Sequence, residues 1–276
     1  MGGDMSGEPN PTKRERREAA RAARLDSERA EAAAAQRRRR LTTLLALLGA
    51  AAVVVVAAIV ISGGDGDSAK SRPGAAQKST GAIPGQKEAG EMLAGIPQKG
   101  LYLGKANAPV QLIEFADLQC PICREYSLQT LPTLVQDYVR TGKVRMELRT
   151  LSFLGPDSVT AARAAAGAAQ QNKLWNFADV FYYNQGEENS GYATPSFLTR
   201  IHKASGVDPA EASAFAATDA SKEPLAAANT LAQRYGVNAT PTILVGKRGG
   251  ELKAVNADST DVGAFKAAID GVLGQA

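Results

Sequence analysis

Cys120 and Cys123 are the only cysteines of the 276-residue chain and stand in the motif Cys-Pro-Ile-Cys. Two thiols at this spacing can form a disulfide and lose it again by exchange, in which a thiolate attacks a disulfide sulfur. Because the chain has a single histidine, a complete zinc site of the usual Cys/His type cannot be assembled. The residue types favour redox chemistry at this pair. A purely structural disulfide, or half of a zinc site completed by another chain, are the alternatives.

The position of the pair along the chain supplies a mechanism. Residues 110–115 (VQLIEF) form an apolar run typical of a buried strand, and residues 120–140 carry apolar side chains at helical spacing. The pair therefore lies at the start of a helix, where free N–H groups and the helix dipole stabilise a thiolate and lower its pKa. We expect Cys120 to be the nucleophile, Pro121 to fit the first turn, and Cys123 to be the more buried, resolving sulfur.

The rest of the chain from about residue 99 reads as one α/β domain. Residues 143–151 alternate like a second strand, and two short strands and a closing helix follow near the C-terminus. Between them lies an Ala-rich helical region. This order of elements favours a thioredoxin fold with an inserted helical subdomain. The insertion is predicted at about 157–235, with its best helical piece at 174–183. The two short strands are predicted at 242–245 and 252–255, and the closing helix at 260–273.

Individual side chains of this domain carry further expectations. Pro132 should kink the helix that follows the cysteine pair. His202 is expected on a solvated surface helix of the insertion. The insertion core is predicted to contain Trp175, Phe177, Val180, Phe181 and Tyr182.

The N-terminal third predicts a membrane anchor. Residues 41–61 are 21 residues without a charge, which at about 1.5 Å each span roughly 30 Å of hydrocarbon. Four arginines precede them, so residues 1–40 are predicted to be a cytoplasmic basic arm. Residues 62–98, rich in small and polar residues, are predicted to be a flexible extracytoplasmic linker before the domain at 99–276. A cleaved signal peptide is the competing interpretation of 41–61.

The charge distribution argues against nucleic-acid binding. The net charge of +4 comes entirely from residues 1–40, since the remainder has equal numbers of acidic and basic side chains. The globular part therefore has no basic footprint for phosphates.

At these residues the chain resembles the DsbA-like thiol-disulfide oxidoreductases, in the membrane-tethered form of Gram-positive and actinobacterial envelopes. The resemblance covers roughly residues 99–273 and is carried by 104–110 (GKANAPV), 113–115 (IEF) leading into the cysteine motif, and 236–242 (GVNATPT). It implies that Pro241 is a cis-proline beside the cysteines and that the backbone of Thr240 pairs with an extended substrate segment.

The resemblance also assigns Glu114 and questions Ile122. Glu114, a carboxyl on an apolar strand, would lie beneath the cysteines with a raised pKa and help proton transfer to Cys123, unless it is simply exposed. Ile122 stands where strongly oxidising members have a histidine, and isoleucine can neither donate a hydrogen bond nor carry charge. We therefore expect Cys120 to be less acidic than in those members and its disulfide less oxidising.

The implied function is the introduction of disulfide bonds into secreted or envelope proteins, with unfolded protein thiols as substrates and no metal or organic cofactor. A membrane quinone reductase of the DsbB or vitamin K epoxide reductase-like type would reoxidise the pair. Two alternatives remain at this stage. One is a disulfide reductase or isomerase, for example in cytochrome c maturation, and the other is a non-catalytic peptide-binding module with a structural disulfide.

Overall fold

The computed structural model describes residues 83–274, and these form six strands and a larger number of helices. The strands are β1 Gln98–Lys99, β2 Tyr102–Leu103, β3 Val110–Ala116, β4 Val144–Thr150, β5 Thr242–Lys247 and β6 Leu252–Ala254. The α-helices are α1 Gln86–Leu93, α2 Pro121–Glu125, α3 Leu131–Leu134, α4 Pro156–Gln170, α5 Leu174–Tyr183, α6 Pro195–Ala204, α7 Pro209–Ala216, α8 Glu223–Arg234 and α9 Val262–Leu273.

A mixed sheet in the order β1-β2-β4-β3-β5-β6 forms the centre of the domain. Strand β3 pairs in parallel with β4 and antiparallel with β5, so it is hydrogen-bonded on both sides. All but one of its seven residues are buried, because helices cover both faces of the sheet. The sheet and its helices confirm the predicted thioredoxin-like α/β fold, and each predicted strand lies within about two residues of an observed one.

The two faces of β3 have different neighbours, because successive side chains of a strand point to opposite sides. Ile113 and Phe115 pack with Ala228 and Ala232 of α8. Leu112 and Ala116 face the main core, which includes Phe265 and Ile269 of α9 and the cysteine-bearing helix. Glu114 has the same parity as Leu112 and Ala116, so its carboxyl lies on the face of the sheet that the cysteine-bearing helix covers.

The helix after the cysteine pair is interrupted rather than simply kinked at Pro132. Two π-helical turns, Tyr126–Thr130 and Val135–Val139, flank α3. Pro132 lies in the first turn of α3, where a missing N–H costs least. The wide turn before it closes with a bond from the Leu131 N–H to the Tyr126 carbonyl.

Helices α4 to α8 form the predicted insertion, and α5 coincides with the predicted piece at 174–183. Its core prediction is confirmed, since the five residues named for it are all buried. The prediction for His202 is wrong. Its ring is 1% exposed and lies 4.8 Å, centroid to centroid, from Phe177, and its Nε2 is 3.1 Å from the Ala164 carbonyl oxygen. Helix α6 is surrounded by α4, α5 and α7, and the burial lowers the pKa of the histidine.

The N-terminal boundary of the domain lies earlier than residue 99. Helix α1 buries Ala89 and Leu93 and packs against α5, and the Asn184 side chain donates to the Pro84 carbonyl at 2.8 Å. The prediction of a flexible linker is therefore wrong for residues 83–98, where buried apolar side chains and short strand pairing hold the chain against the domain. The predicted arm at 1–40, the span at 41–61 and the linker up to residue 82 lie outside the described residues. Within 83–274, no helix has the length and apolar character needed to cross a bilayer.

Candidate active site

Cys120 lies where the central strand ends and α2 begins. The chain leaves β3 at Ala116, turns through a bond from the Cys120 N–H to the Asp117 carbonyl (3.0 Å), and enters α2 with Cys120 as its N-cap residue. Pro121 occupies the first helical position, where its fixed φ suits the helix. The strand thus delivers the sulfur to the end of the sheet, at the start of a helix, as the sequence pattern predicts.

Hydrogen bonds make Cys120 the acidic member of the pair. Both cysteines are free thiols in this structure, and Cys120 Sγ accepts from the Cys123 N–H at 3.3 Å. Its own S–H donates to the Thr240 carbonyl at 3.4 Å. The bonds from the side chain and the backbone N–H of Cys123 lower the pKa of Cys120 to about 6, against a burial that raises it.

Cys123 and Glu114 lie deeper and favour their protonated forms. Cys123 is fully buried, and this burial, followed by the neighbouring Cys120, raises its pKa well above the ordinary value. Glu114 is 1% exposed between the apolar strand neighbours Leu148 and Ile243. Burial raises its pKa to about 8, and its Oε2 has no hydrogen-bond partner among the described residues. The alternative of an exposed Glu114 carboxyl is therefore excluded, and the protonated side chain can donate a proton inside this core.

Thr240 and Pro241 lie beside the cysteines, joined by a cis peptide bond as the resemblance implies. They border a groove of about 150 Å³ whose walls include Ile122, Val255 and Phe265. Ile122 is 45% exposed, so it presents an apolar side chain to solvent next to both sulfurs. The groove therefore offers an apolar surface, and the Thr240 carbonyl at its border lies 3.4 Å from Cys120 Sγ.

Asp117 is a site residue that sequence reasoning missed. Its fully buried carboxylate accepts from the backbone N–H groups of Gln119 (2.9 Å), Phe153 (2.8 Å) and Leu154 (3.2 Å) and from the Ser158 hydroxyl (2.7 Å). It ties the loop before Cys120 to the loop after β4. An aspartate three residues before the pair was the one available signal, but three of its four partners, in Phe153, Leu154 and Ser158, lie more than 35 residues away.

Apolar side chains are exposed near the hydrogen bonds of the Asp117 carboxylate, which we call the Asp117 clamp. Among the described residues, the large hydrophobic side chains that stand exposed are Ile122, Phe153 and Val159. Phe153 is bonded through its N–H to Asp117, and Val159 follows Ser158, which is bonded to the same carboxylate. Within residues 83–274, metal-ligating side chains do not form a group of three or more.

Comparison with known proteins is consistent with this geometry. A family model described as Thioredoxin matches residues 97–270. The chain is 36% identical over 115 residues to a "Probable disulfide bond formation protein D" of Bacillus cereus, covering 41% of this chain and 52% of the relative. It is 28% identical over 149 residues to the "Disulfide bond formation protein D" of Bacillus subtilis, covering 52% and 66%. The chain thus spans about half the length of the Bacillus cereus relative and of a similarly named relative from Bacillus anthracis.

Solved structures show the same fold. Oxidised BdbD from Bacillus subtilis aligns with a TM-score of 0.57 and 24% identity, over 65% of this chain and 97% of that protein. Wolbachia pipientis alpha-DsbA1 aligns with a TM-score of 0.56 and 21% identity, over 68% and 96%. The resemblance to DsbA-like proteins drawn from the sequence motifs is confirmed.

Proposed function

Because the chain belongs to the thioredoxin family, we propose that it is a protein thiol-disulfide oxidoreductase that introduces disulfide bonds into secreted or envelope proteins. The observation that carries the proposal is that the pKa values of the two neighbouring thiols are shifted in opposite directions. The pKa of Cys120 is lowered to about 6 by hydrogen bonds from Cys123, while burial raises that of Cys123. A low pKa makes Cys120 a good leaving group, which favours transfer of the disulfide to substrate.

The reaction consists of two exchanges. A substrate thiolate attacks Cys120 Sγ in the oxidised pair, the bond to Cys123 breaks, and Cys123 leaves with the electron pair. A second thiolate of the substrate then attacks the substrate sulfur of the mixed disulfide, and Cys120 leaves as a thiolate. The substrate gains a disulfide, and the enzyme gains two electrons.

Glu114 is proposed to serve the first exchange. Cys123 leaves into a fully buried position, where an unprotonated sulfur is costly. Glu114, whose pKa burial raises to about 8, is protonated at neutral pH and faces the same core, so it can supply the proton. The groove at Thr240 and Pro241 is proposed to hold the substrate segment in an extended form through its backbone, which requires no particular sequence.

The cellular setting is proposed from the sequence. The uncharged residues 41–61 would anchor the chain as a single-pass membrane protein with its catalytic domain outside the cytoplasm, where disulfides persist. A membrane quinone reductase of the DsbB or vitamin K epoxide reductase-like type would take the two electrons. This location would place the groove close to proteins emerging from the secretion machinery.

Trapping of mixed disulfides in cells tests the proposal. In Cys123→Ala the second sulfur is missing, so substrates and the redox partner should accumulate as disulfides with Cys120, recovered by non-reducing electrophoresis and mass spectrometry. Cys120→Ala is the matched control, which should trap none. Absence of any adduct on Cys120 would refute the oxidoreductase proposal, and unimpaired function of both variants would favour a peptide-binding module.

Ile122 favours a second candidate, a disulfide reductase or isomerase. Its exposed apolar side chain offers the Cys120 thiolate no hydrogen bond. The standard potential separates the two directions. A value near about −270 mV would indicate a reductase, and one near about −120 mV an oxidase.

A further inference from the structure

The helical insertion makes direct hydrogen bonds to the segment that carries Cys120. Gln185, two residues after α5, donates from its Nε2 to the carbonyl oxygens of Leu118 (2.8 Å) and Cys120 (3.1 Å). The Tyr182 hydroxyl donates to the Asp117 carbonyl at 3.3 Å, and the Tyr182 carbonyl accepts from Arg124 Nε at 2.9 Å. The end of α5 therefore contacts the chain on both sides of the reactive cysteine.

The carbonyl oxygen and the sulfur of Cys120 both accept hydrogen bonds from the first turn of α2. As N-cap residue, Cys120 accepts the Arg124 N–H at its carbonyl (3.1 Å) and the Cys123 N–H at its sulfur (3.3 Å). Both bonds require one backbone orientation of Cys120 relative to α2. A side-chain amide that holds the carbonyl therefore also holds the sulfur in range of the Cys123 N–H.

Gln119 adds a second attachment from the same region. Its buried side chain accepts from the Asn189 N–H at 2.7 Å and donates to the Ser158 hydroxyl at 2.9 Å. The loop before Cys120 is thus bonded to the insertion at two residues: Leu118 accepts from Gln185, and the Gln119 side chain bonds to Asn189 and Ser158. Buried carbonyl and amide groups that lose such partners cost free energy, so the arrangement is restrictive.

We propose that Gln185 is a positioning residue, through which the helical insertion holds Cys120 in the orientation that stabilises its thiolate. The proposal rests on the proposed function only in taking Cys120 as the nucleophile. It gives the insertion a role in the chemistry of the pair, and it assigns that role to one side chain outside the motif.

Gln185→Met in the full-length, reduced protein tests the proposal. Methionine has a similar length but cannot donate to either carbonyl. The rate of iodoacetamide alkylation of Cys120 is followed against pH by mass spectrometry. Cys123 is fully buried and should stay unalkylated, so its alkylation would report loss of the fold. We expect the midpoint to rise by about one pH unit, which is about tenfold less thiolate at pH values below it, because the Cys123 N–H no longer lies in line with the sulfur.

Two further variants separate positioning from general loosening. Gln185→Lys restores donors to the carbonyls and adds a positive charge, so its midpoint should equal or fall below that of the wild type. Asn184→Ala is the matched control, because the neighbouring Asn184 donates to the Pro84 and Val180 carbonyls and to nothing in residues 117–123. Its melting temperature should fall while its alkylation midpoint stays unchanged.

An unchanged midpoint in Gln185→Met, or an equal rise in Gln185→Lys or Asn184→Ala, would overturn the proposal. If Gln185→Met does not fold, Gln185→Asn takes its place, because its amide is one methylene too short to reach both carbonyls. The thiolate pKa is defined whichever way electrons pass through the pair. A negative result here would therefore leave the trapping of mixed disulfides unaffected, and the reverse also holds.

Discussion

Glu114 should make the stability of the reduced protein depend on pH. Burial raises its pKa from 4.5 to about 8, so the folded state binds this proton more tightly than the unfolded state. The free energy of unfolding must then fall as the pH rises from 4.5 to 8, because the unfolded chain releases the proton first. At about 1.4 kcal/mol per pH unit, the loss over this window is about 5 kcal/mol at most.

Glu114→Gln removes the titration and keeps the shape of the protonated acid. Its gain in unfolding free energy over the wild type should be close to zero near pH 4.5, grow through neutral pH and level off above pH 8. Denaturant titrations of the full-length reduced protein, followed by the fluorescence of the single, buried Trp175, measure this difference. The Cys120 pKa, lowered to about 6, stabilises the fold as the pH rises from 6 to 9, and this opposite slope cancels in the difference.

Glu125→Gln is the matched control for this experiment. Glu125 lies exposed on α2, so the same substitution there should leave the difference flat across the pH range. A flat difference for Glu114→Gln as well would refute the reasoning, because it would mean that the carboxyl ionises in the folded protein as readily as in water.

Three more outcomes follow from the site. Ile122→His should lower the pKa of Cys120 by a hydrogen bond or charge and raise the potential by at least about 30 mV, measured against glutathione; a lower potential would contradict this. Asp117→Asn places an amide NH₂ against backbone N–H groups that donate to the carboxylate. It should lower the free energy of unfolding by about 2–4 kcal/mol and the melting temperature by roughly 5–15 °C. An unchanged melting temperature would show that the Asp117 clamp does not stabilise the fold. We expect an aromatic side chain of the substrate to pack on the exposed Phe153 ring, so Phe153→Ser should raise KM up to about tenfold for a peptide with an aromatic residue beside its cysteine. The same peptide with glycine there is the control, and an equal change for both would argue against contact with Phe153.

Several features of this domain were predictable because their signals are local in the sequence. The apolar run before Cys120 and the proline after it predict a strand end and a helix start, and the structure has both. Strand ends and the core of α5 follow from hydrophobic periodicity, which depends on a residue and its near neighbours. The failed prediction at residues 83–98 has a non-local cause: their composition is typical of a linker, yet α1 packs against α5, about 85 residues further along the chain.

What the sequence by itself predicted is the chemistry proposed for this pair, since two thiols three positions apart at a helix start are suited to thiol-disulfide exchange. Only the tertiary structure decided the environment of that chemistry. The amide of Gln185 meets the Cys120 carbonyl across 65 residues of chain, and Asp117 meets Ser158 across 41. Burial, which sets the pKa of Glu114 and encloses His202, depends on which helices cover the sheet and each other. Hydrogen bonds and desolvation act between neighbours in space, and periodicity along the chain does not specify those neighbours.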